Sequence, residues 1–298
     1  MKRNIKKFLF PAVAVAVLSF AACSDWTETE SLDINYPTLE EQNPELYKQY
    51  LKALRDYKAG EHKVVLVSMD NTTSAPAQRN EHLTTMPDSV DIICLMNPDN
   101  LHPTLAGEFA KVREKGTRVI YNIDYNAIEK LWEKVLADEE ANKPEEPTNP
   151  STPEATQDEG GEGGGEGEPT PEEELELRFL EFCRQQTVSQ LNLCAKYGYD
   201  GVQVNYTGRA PQAMQEEEKV QYAARQEAFF SNVKTWNEAN SGKVLVFQGN
   251  PQNLIDKSVL GECDYIVIPA LTVGSTYPPG NMLSGREGAY CCPATWNP

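Results

Sequence analysis

Six short apolar runs constrain this chain more than any other feature. They occupy residues 63–70, 91–97, 117–124, 199–206, 243–248 and 263–271. Each is rich in β-branched residues and continuous rather than alternating, the pattern of a strand buried on both faces. Helical spacing fills most of the gaps. Over 38–57 the apolar positions are Leu46, Tyr50, Leu54 and Tyr57, with Gly60 as the stop. Further helices are expected over 103–115, from Tyr125 through Leu131, Trp132 and Val135, over 171–196, over 216–240, and as a short piece over 251–260. Leu175, Phe179, Phe182 and Leu193 form the stripe of the helix over 171–196. Strands separated by helices define an α/β fold with a parallel sheet. Six such units fit a doubly wound sheet or most of a (β/α)8 TIM barrel. No GxGxxG follows the first run and no Walker sequence occurs, which removes the common nucleotide-binding versions of the first option.

Two segments fall outside this pattern. Residues 143–171 are rich in Pro, Glu, Gly, Ser and Thr. They cannot bury enough apolar surface to offset chain entropy, so a disordered acidic insertion on the surface is expected. Residues 274–298 carry no strand run and no helical period, and read as an irregular tail. A complete eight-stranded barrel needs two more βα units than 37–273 supplies, so the barrel is expected to be incomplete, through truncation or a tail read out of frame.

The N-terminus reads as an address. Lys2, Arg3, Lys6 and Lys7 precede an apolar run over 8–22, shorter than the roughly 20 residues a membrane span needs. A basic head, a short apolar core and small residues before a cut site make a secretory signal over 1–22. Ala21-Ala22-Cys23 resembles a bacterial lipobox, with Phe20 where Leu is usual. That resemblance implies acylation of Cys23 and anchoring to a membrane, because several acyl chains hold where one does not. Residues 23–36 are polar and acidic and read as a tether. Acidic residues just after the cysteine resemble the surface-export signals of glycan-foraging Gram-negative bacteria. An outer-membrane, cell-surface location is the expectation.

Charge and cysteine usage exclude other classes. The formal net charge is −18, which argues against nucleic acid, since phosphate binding needs a basic face. Much of the acidity is local: between positions 138 and 176 there are fifteen Asp and Glu against one Lys. Besides Cys23, the cysteines are Cys94, Cys183, Cys194, Cys263, Cys291 and Cys292, none in a CxxC or a Cys/His cluster. Cys94 and Cys263 lie inside strand runs, as small core residues. With only His62, His82 and His102 besides, no metal and no cofactor is expected.

The segment that bears on chemistry is Asp200-Gly201-Val202-Gln203-Val204-Asn205-Tyr206-Thr207. Strand residues two apart share a face, so Gln203, Asn205 and Thr207 point together, into the interior if the sheet is a barrel. At these residues, with the Pro87–Asp91 entry to the second run, the chain resembles the family 18 glycoside hydrolases, the chitinases and endo-β-N-acetylglucosaminidases. That family carries Asp-Gly-x-Asp-x-Asp-x-Glu here. Asp200 and Gly201 match. Gln203 replaces an Asp, Asn205 replaces the Asp that orients the substrate's N-acetyl group, and Thr207 replaces the Glu that protonates the glycosidic oxygen. The resemblance implies a TIM barrel whose strand runs out toward a sugar site. Its active members use the substrate-assisted exception to the two-carboxylate scheme. An amide cannot act as a carboxylate, and a threonine hydroxyl is too weak an acid for that protonation.

Barrel sites lie at the C-terminal ends of the strands. Asp70, Asn71, Asn97, Asp124, Tyr125, Tyr206, Gln248 and Asn250 are therefore the binding candidates. Trp132 and Trp236 sit on helical patterns and are expected to face the core. Three functions follow. The first is a non-catalytic lipoprotein that captures N-acetylglucosamine- or mannose-containing glycans for outer-membrane uptake proteins. The second is an active endo-β-N-acetylglucosaminidase with a displaced acid. The third is a structural envelope lipoprotein with no ligand.

Overall fold

A computed structural model describes residues 37–72, 75–143 and 170–269, together with the backbone of 290–293. The expected signal peptide and tether, residues 144–169 of the insertion and most of the tail lie outside the described residues. The chain divides into two compact units, Met1–Tyr50 and Leu51–Pro298. In the first, helix α1 (Leu39–Gln42) starts on a capping box. Glu41 N–H donates to Thr38 Oγ1 at 3.3 Å, and Thr38 N–H donates to the Glu41 carboxylate at 2.7 Å. One helix is expected over 38–57, yet α1 ends at Asn43 and α2 (Pro44–Ala59) begins anew. Pro44 has no N–H to continue α1 and is favoured at a first helical position. Asn43 Oδ1 takes the Leu46 N–H at 3.1 Å.

The second unit holds one sheet: β1 (Leu66–Met69), β2 (Ile92–Leu95), β3 (Arg118–Asp124), β4 (Gly201–Tyr206), β5 (Val244–Gly249) and β6 (Tyr265–Ile268). These six are parallel and hydrogen-bonded in strict sequence order. A doubly wound sheet would reverse its order at a switch point. The unbroken order is that of a β/α barrel, incomplete among the described residues, which supply six parallel strands. The crossovers are α3 (Pro103–Glu114) after β2, α4 (Tyr125–Ala141) and α5 (Pro171–Tyr197) after β3, and α6 (Glu216–Ala239) after β4. The helix expected over 251–260 is instead two 3-10 turns, Pro251–Asn253 and Ser258–Gly261.

The tail read as irregular contains a further strand, β7 (Tyr290–Pro293), antiparallel to β6. Four residues ending in Pro give no strand pattern of their own. The partner is the free edge of β6, where Pro is tolerated and where pairing removes an exposed row of backbone groups.

Side-chain alternation divides the core. Ile93, Leu95, Tyr121, Val202, Val204 and Phe247 point outward and pack against the helices with Phe109, Phe179, Leu191 and Phe229. Trp132 and Trp236 are half-buried against this layer. Ile92, Cys94, Ile120, Val244, Val246 and Val267 form a second cluster on the inner face. Cys94, Cys183, Cys194 and Cys263 are buried free thiols. Apolar side chains on both faces explain why these runs read as continuous. The stripe expected on the helix over 38–57 is different: Leu51 is the buried residue, and Tyr57 is 57% exposed.

One device recurs at the N-terminal ends of the strands. Asp91, Asp200 and Asp264 each stand just ahead of an even-numbered strand. Asp91 N–H donates to the Val65 carbonyl at 3.0 Å, and Val65 N–H donates back to the Asp91 carboxylate at 2.7 Å. Asp200 makes the same exchange with Val119, at 2.8 and 2.9 Å. Asp264 makes it with Leu245, at 2.8 and 2.9 Å. Each carboxylate receives a backbone N–H at the start of the preceding strand, from the residue just before β1 and from the second residue of β3 and of β5, and so fixes the register of the pair.

Two expectations follow for stability. Gly201 faces the backbone of β5 so closely that a Cβ there would stand 2.1 Å from the Val244 carbonyl oxygen. Gly201→Ala is expected to cost about 1–3 kcal/mol, the usual range for overpacking, measured by urea unfolding. His62 Nδ1 lies 2.8 Å from the Gly60 carbonyl and Nε2 lies 2.9 Å from Asp91. The Gly60 bond, and then the Asp91 bond, favour the charged ring and raise its pKa above the usual 6.5. A raised folded-state value stabilises fully below the unfolded pKa of about 6.5 and fades as pH rises through the folded one. The melting temperature should fall as pH rises above about 6.5, and His62→Gln should flatten that slope.

Candidate functional site

The C-terminal ends of β3, β4 and β5 bring six polar side chains to the inner face. The register sets Asn122 beside Gln203, and Asp124 beside Asn205 and then Gln248. Gln203 is fully buried. Its Nε2 donates to Asn122 Oδ1 at 3.1 Å and to Gln248 Oε1. Both amide hydrogens are thereby used, and Gln203 Oε1 is the one buried side-chain polar atom without a partner among the described residues. Asp124 caps α4, taking the Asn126 N–H at 3.0 Å. Burial raises its pKa above the ordinary carboxylate value, while the Asn126 N–H, the Lys130 charge and the Asn205 side chain partly offset that rise. Thr207 Oγ1 accepts from Asn126 Nδ2 at 2.9 Å.

Beside this floor a cleft of about 320 Å3 opens, lined by Met96, Asn97, Asp99, Asn122, Asp124 and Gln190 among others. Asn97, which lines the cleft, donates its Nδ2 to Asp70 Oδ1 at 2.9 Å. Asn71 is buried and exchanges two 2.8 Å bonds with the Asn97 backbone, tying the β1 and β2 ends together rather than facing a ligand. Asn250 Nδ2 donates to the Thr207 carbonyl at 3.1 Å and braces the loop after β4. A cavity of about 340 Å3 between α6 and the loop after β5 contains no strand-end carboxylate.

Tyr125 and Tyr206, named as candidates from their position, belong to the core instead. Their rings pack at 5.0 Å between sheet and helices, and the Tyr206 hydroxyl accepts from Gln226 Nε2 at 2.8 Å. Burial pushes the Tyr206 hydroxyl up to about 12. The reason is parity: Tyr206 alternates with Asn205 and so points outward. Asp200 and Gly201 are at the opposite end of β4 from the cleft. Asp200 pairs with Arg113 at 2.9 Å besides clamping Val119, so its part is structural.

Asn122, Asn126, Asp99, Gln190 and Asn253 were not among the sequence candidates. Asn122 was accessible to the same parity argument, two residues before Asp124. Asn126 was signalled by its place just after a capping Asp. Asn253, which donates to the Thr207 and Gly208 carbonyls at 2.7 and 3.1 Å, lies in a turn and offers no periodic signal. Asp99 and Gln190 meet across 91 residues, at 3.2 Å, only because α5 passes the β2 loop. Among the described residues no group of His, Cys, Asp or Glu could hold a metal ion.

The model of glycoside hydrolase family 18, BT1044-like, matches residues 27–158 and 172–279. The chain belongs to that family. Among solved structures it is similar to a Glu-to-Gln variant of BT1044, with 16% identity, a TM-score of 0.46, and coverage of 79% of this chain and 65% of that one. The chain thus spans just under two thirds of that structure. It is also similar to the glycoside hydrolase domain of PelA from Pseudomonas aeruginosa, with 14% identity, a TM-score of 0.33, and coverage of 70% and 68% respectively. No curated protein matches the chain.

The two functions of the β4 motif, clamp and site, can be separated. Asp200→Ala leaves the Val119 N–H without its acceptor, and is expected to lower stability by about 1–3 kcal/mol in chemical denaturation. A ligand bound at the strand ends should keep its affinity in that variant below the unfolding temperature.

Proposed function

We propose that this chain is a non-catalytic glycan-binding member of family 18, held at the outer membrane through lipid on Cys23. One observation carries the reading. The three inward positions where the family's carboxylates stand hold Gln203, bonded to Asn122 and Gln248, Asn205, bonded to Asp124, and Thr207, bonded to Asn126. Such groups accept and donate hydrogen bonds to sugar hydroxyls and amides, but supply no proton of the acidity a leaving oxygen needs. Binding without cleavage suits a protein that captures glycans containing N-acetylglucosamine or mannose and passes them to uptake proteins nearby. Anchoring is assigned to Cys23 from the lipobox resemblance of Ala21-Ala22-Cys23.

Asp124 supports a second reading. It is half-buried at the cleft, and its burial favours the protonated form, as in general acids. A hydrolase with its acid displaced by one strand would use it. The two readings part on one experiment. The full chain is applied to an array of N-glycans and chitin oligosaccharides, and then incubated with a glycoprotein while free oligosaccharide is measured. Binding with no release is expected. Release that disappears in Asp124→Asn would establish the hydrolase, and no binding on any arm would leave a structural envelope protein.

A further inference from the structure

The cleft beside the strand ends is set apart from the β4 motif. Among the described residues its lining comes from the loop after β2, the end of β3, and helices α4 and α5, with nothing from β4 or β5. It is amphiphilic. Met96, Ile123, Ala127, Ile128 and Leu131 supply apolar surface, alongside the polar Asn122, Asp124 and Gln190. Met96 and Leu131 are 37% and 41% exposed, so part of this aliphatic surface faces water, and a ligand that covered it would gain. Ala127 and Leu131 lie four apart and share a face of α4, roughly 6 Å apart along its axis. The volume of about 320 Å3 is at the small end for ligand sites. It suits one substituted sugar unit rather than a long chain.

The cleft also holds a donor of fixed orientation. Asn122 is only 7% exposed, and its Oδ1 accepts from Gln203 Nε2 at 3.1 Å. That bond sets which end of the amide faces Gln203, and Asn122 Nδ2 is left without an acceptor among the described residues. The buried side-chain atom lacking a partner there is Gln203 Oε1, not Asn122 Nδ2. Nδ2 therefore reaches solvent, and the opening that Asn122 lines is this cleft. The lining is pinned from behind. The Tyr121 hydroxyl donates to the Gln190 carbonyl at 2.7 Å, the Tyr197 hydroxyl to the Asp99 carbonyl at 3.2 Å, and the Tyr199 hydroxyl to the Pro98 carbonyl at 3.4 Å. A site already ordered costs a ligand less on entry. A fixed amide donor and an aliphatic surface in one cleft match a carbonyl oxygen joined to an alkyl chain. An acylamino group has both, and its N–H finds acceptors in Asp124 and Gln190.

We propose that this cleft is a side subsite, separate from the β4 motif, for the acyl chain of an N-acylated amino sugar, and that it admits acyl chains longer than acetyl. The inference rests on the glycan-binding reading and narrows its ligand class. The acyl carbonyl accepts from Asn122 Nδ2, and the alkyl chain lies along Ala127, Ile128 and Leu131. That row continues past the reach of an acetyl methyl, which is why a longer chain is accepted.

The test uses calorimetry on the full chain with three disaccharides. They are chitobiose, its N-butyryl counterpart, and cellobiose, which has the same rings and no acylamino group. Chitobiose should bind at least about tenfold more tightly than cellobiose, a factor worth about 1.4 kcal/mol. The N-butyryl form should bind at least as tightly as chitobiose. Ala127→Leu fills the cleft from an exposed position and should bring chitobiose down to the level of cellobiose. Leu is a good helix former, so α4 is expected to survive, and circular dichroism checks it. Ala141→Leu makes the same change at the exposed end of α4, outside the cleft lining, and should leave all three affinities unchanged. Equal affinity for chitobiose and cellobiose would overturn the subsite, as would an N-butyryl form that binds more weakly than chitobiose. So would a chitobiose preference that survives Ala127→Leu, or a loss that Ala141→Leu reproduces. If an N-glycan on the array binds while chitobiose does not, the subsite falls and the glycan-binding reading stands. If no glycan binds, both fall.

Discussion

Three aspartates hold this sheet in register. Asp91, Asp200 and Asp264 each trade two hydrogen bonds with a residue at the start of the strand before them, Val65, Val119 and Leu245. A parallel sheet has no tight hairpins to set its alignment, and a slip of one residue would turn every inward side chain outward. The clamps remove that freedom at three strand pairs, β1 with β2, β3 with β4, and β5 with β6. Everything at the far ends of the strands depends on this. Gln203 meets Asn122 and Gln248, and Asn205 meets Asp124, because the alignment was fixed one or more residues earlier.

Seen this way, the β4 motif combines two functions that its compact spelling conceals. Asp200 and Gly201 are kept because the strand needs them, one as a clamp and one because no larger residue fits against Val244. Gln203, Asn205 and Thr207 lie where family 18 carries its acidic residues, and here they have changed type together. On the reading proposed above, the portion that builds the barrel is intact while the portion that would perform the reaction has been replaced. The replacements are also mutually consistent. Gln203 donates to both Asn122 and Gln248, and its Oε1 is the one buried side-chain polar atom left without a partner among the described residues.

The sequence displayed this architecture well where burial is two-sided. Six continuous apolar runs marked six strands, and helical spacing located the helices α3 to α6. Periodicity could not choose between a wound sheet and a barrel, because both present the same alternation of elements; strand order decided it. The break at Asn43-Pro44 was visible as chemistry but overridden by the apolar spacing around it. β7 was invisible, since its partner edge, not its own residues, makes it a strand. At the site, parity was the informative rule. It put Gln203, Asn205 and Thr207 on one face; Asp124, Gln248 and the two tyrosines were named from strand-end position alone, and the tyrosines alternate outward into the core. Asp99, Gln190 and Asn253 are joined to the cleft by loops and a distant helix, contacts that no local pattern encodes.

The two helices that follow β3 end and begin on their own terms. α4 closes at Ala141, with the Asn142 side chain bonded back to the Asp138 carbonyl at 2.7 Å. α5 opens on Thr170 with a full capping box and Pro171 in its first turn. Trp132 of α4 packs on Phe179 and Phe182 of α5, with ring centroids 6.1 and 5.2 Å away, so the pair is fastened by its own side chains rather than by the chain that joins it. The cost of closing such a connection grows only slowly, by about 0.6 kcal/mol for each doubling of length. That junction is therefore a permissive port. A reporter domain or an affinity tag inserted between residues 143 and 170 would be carried on the helical layer, leaving the strand register and the cleft undisturbed.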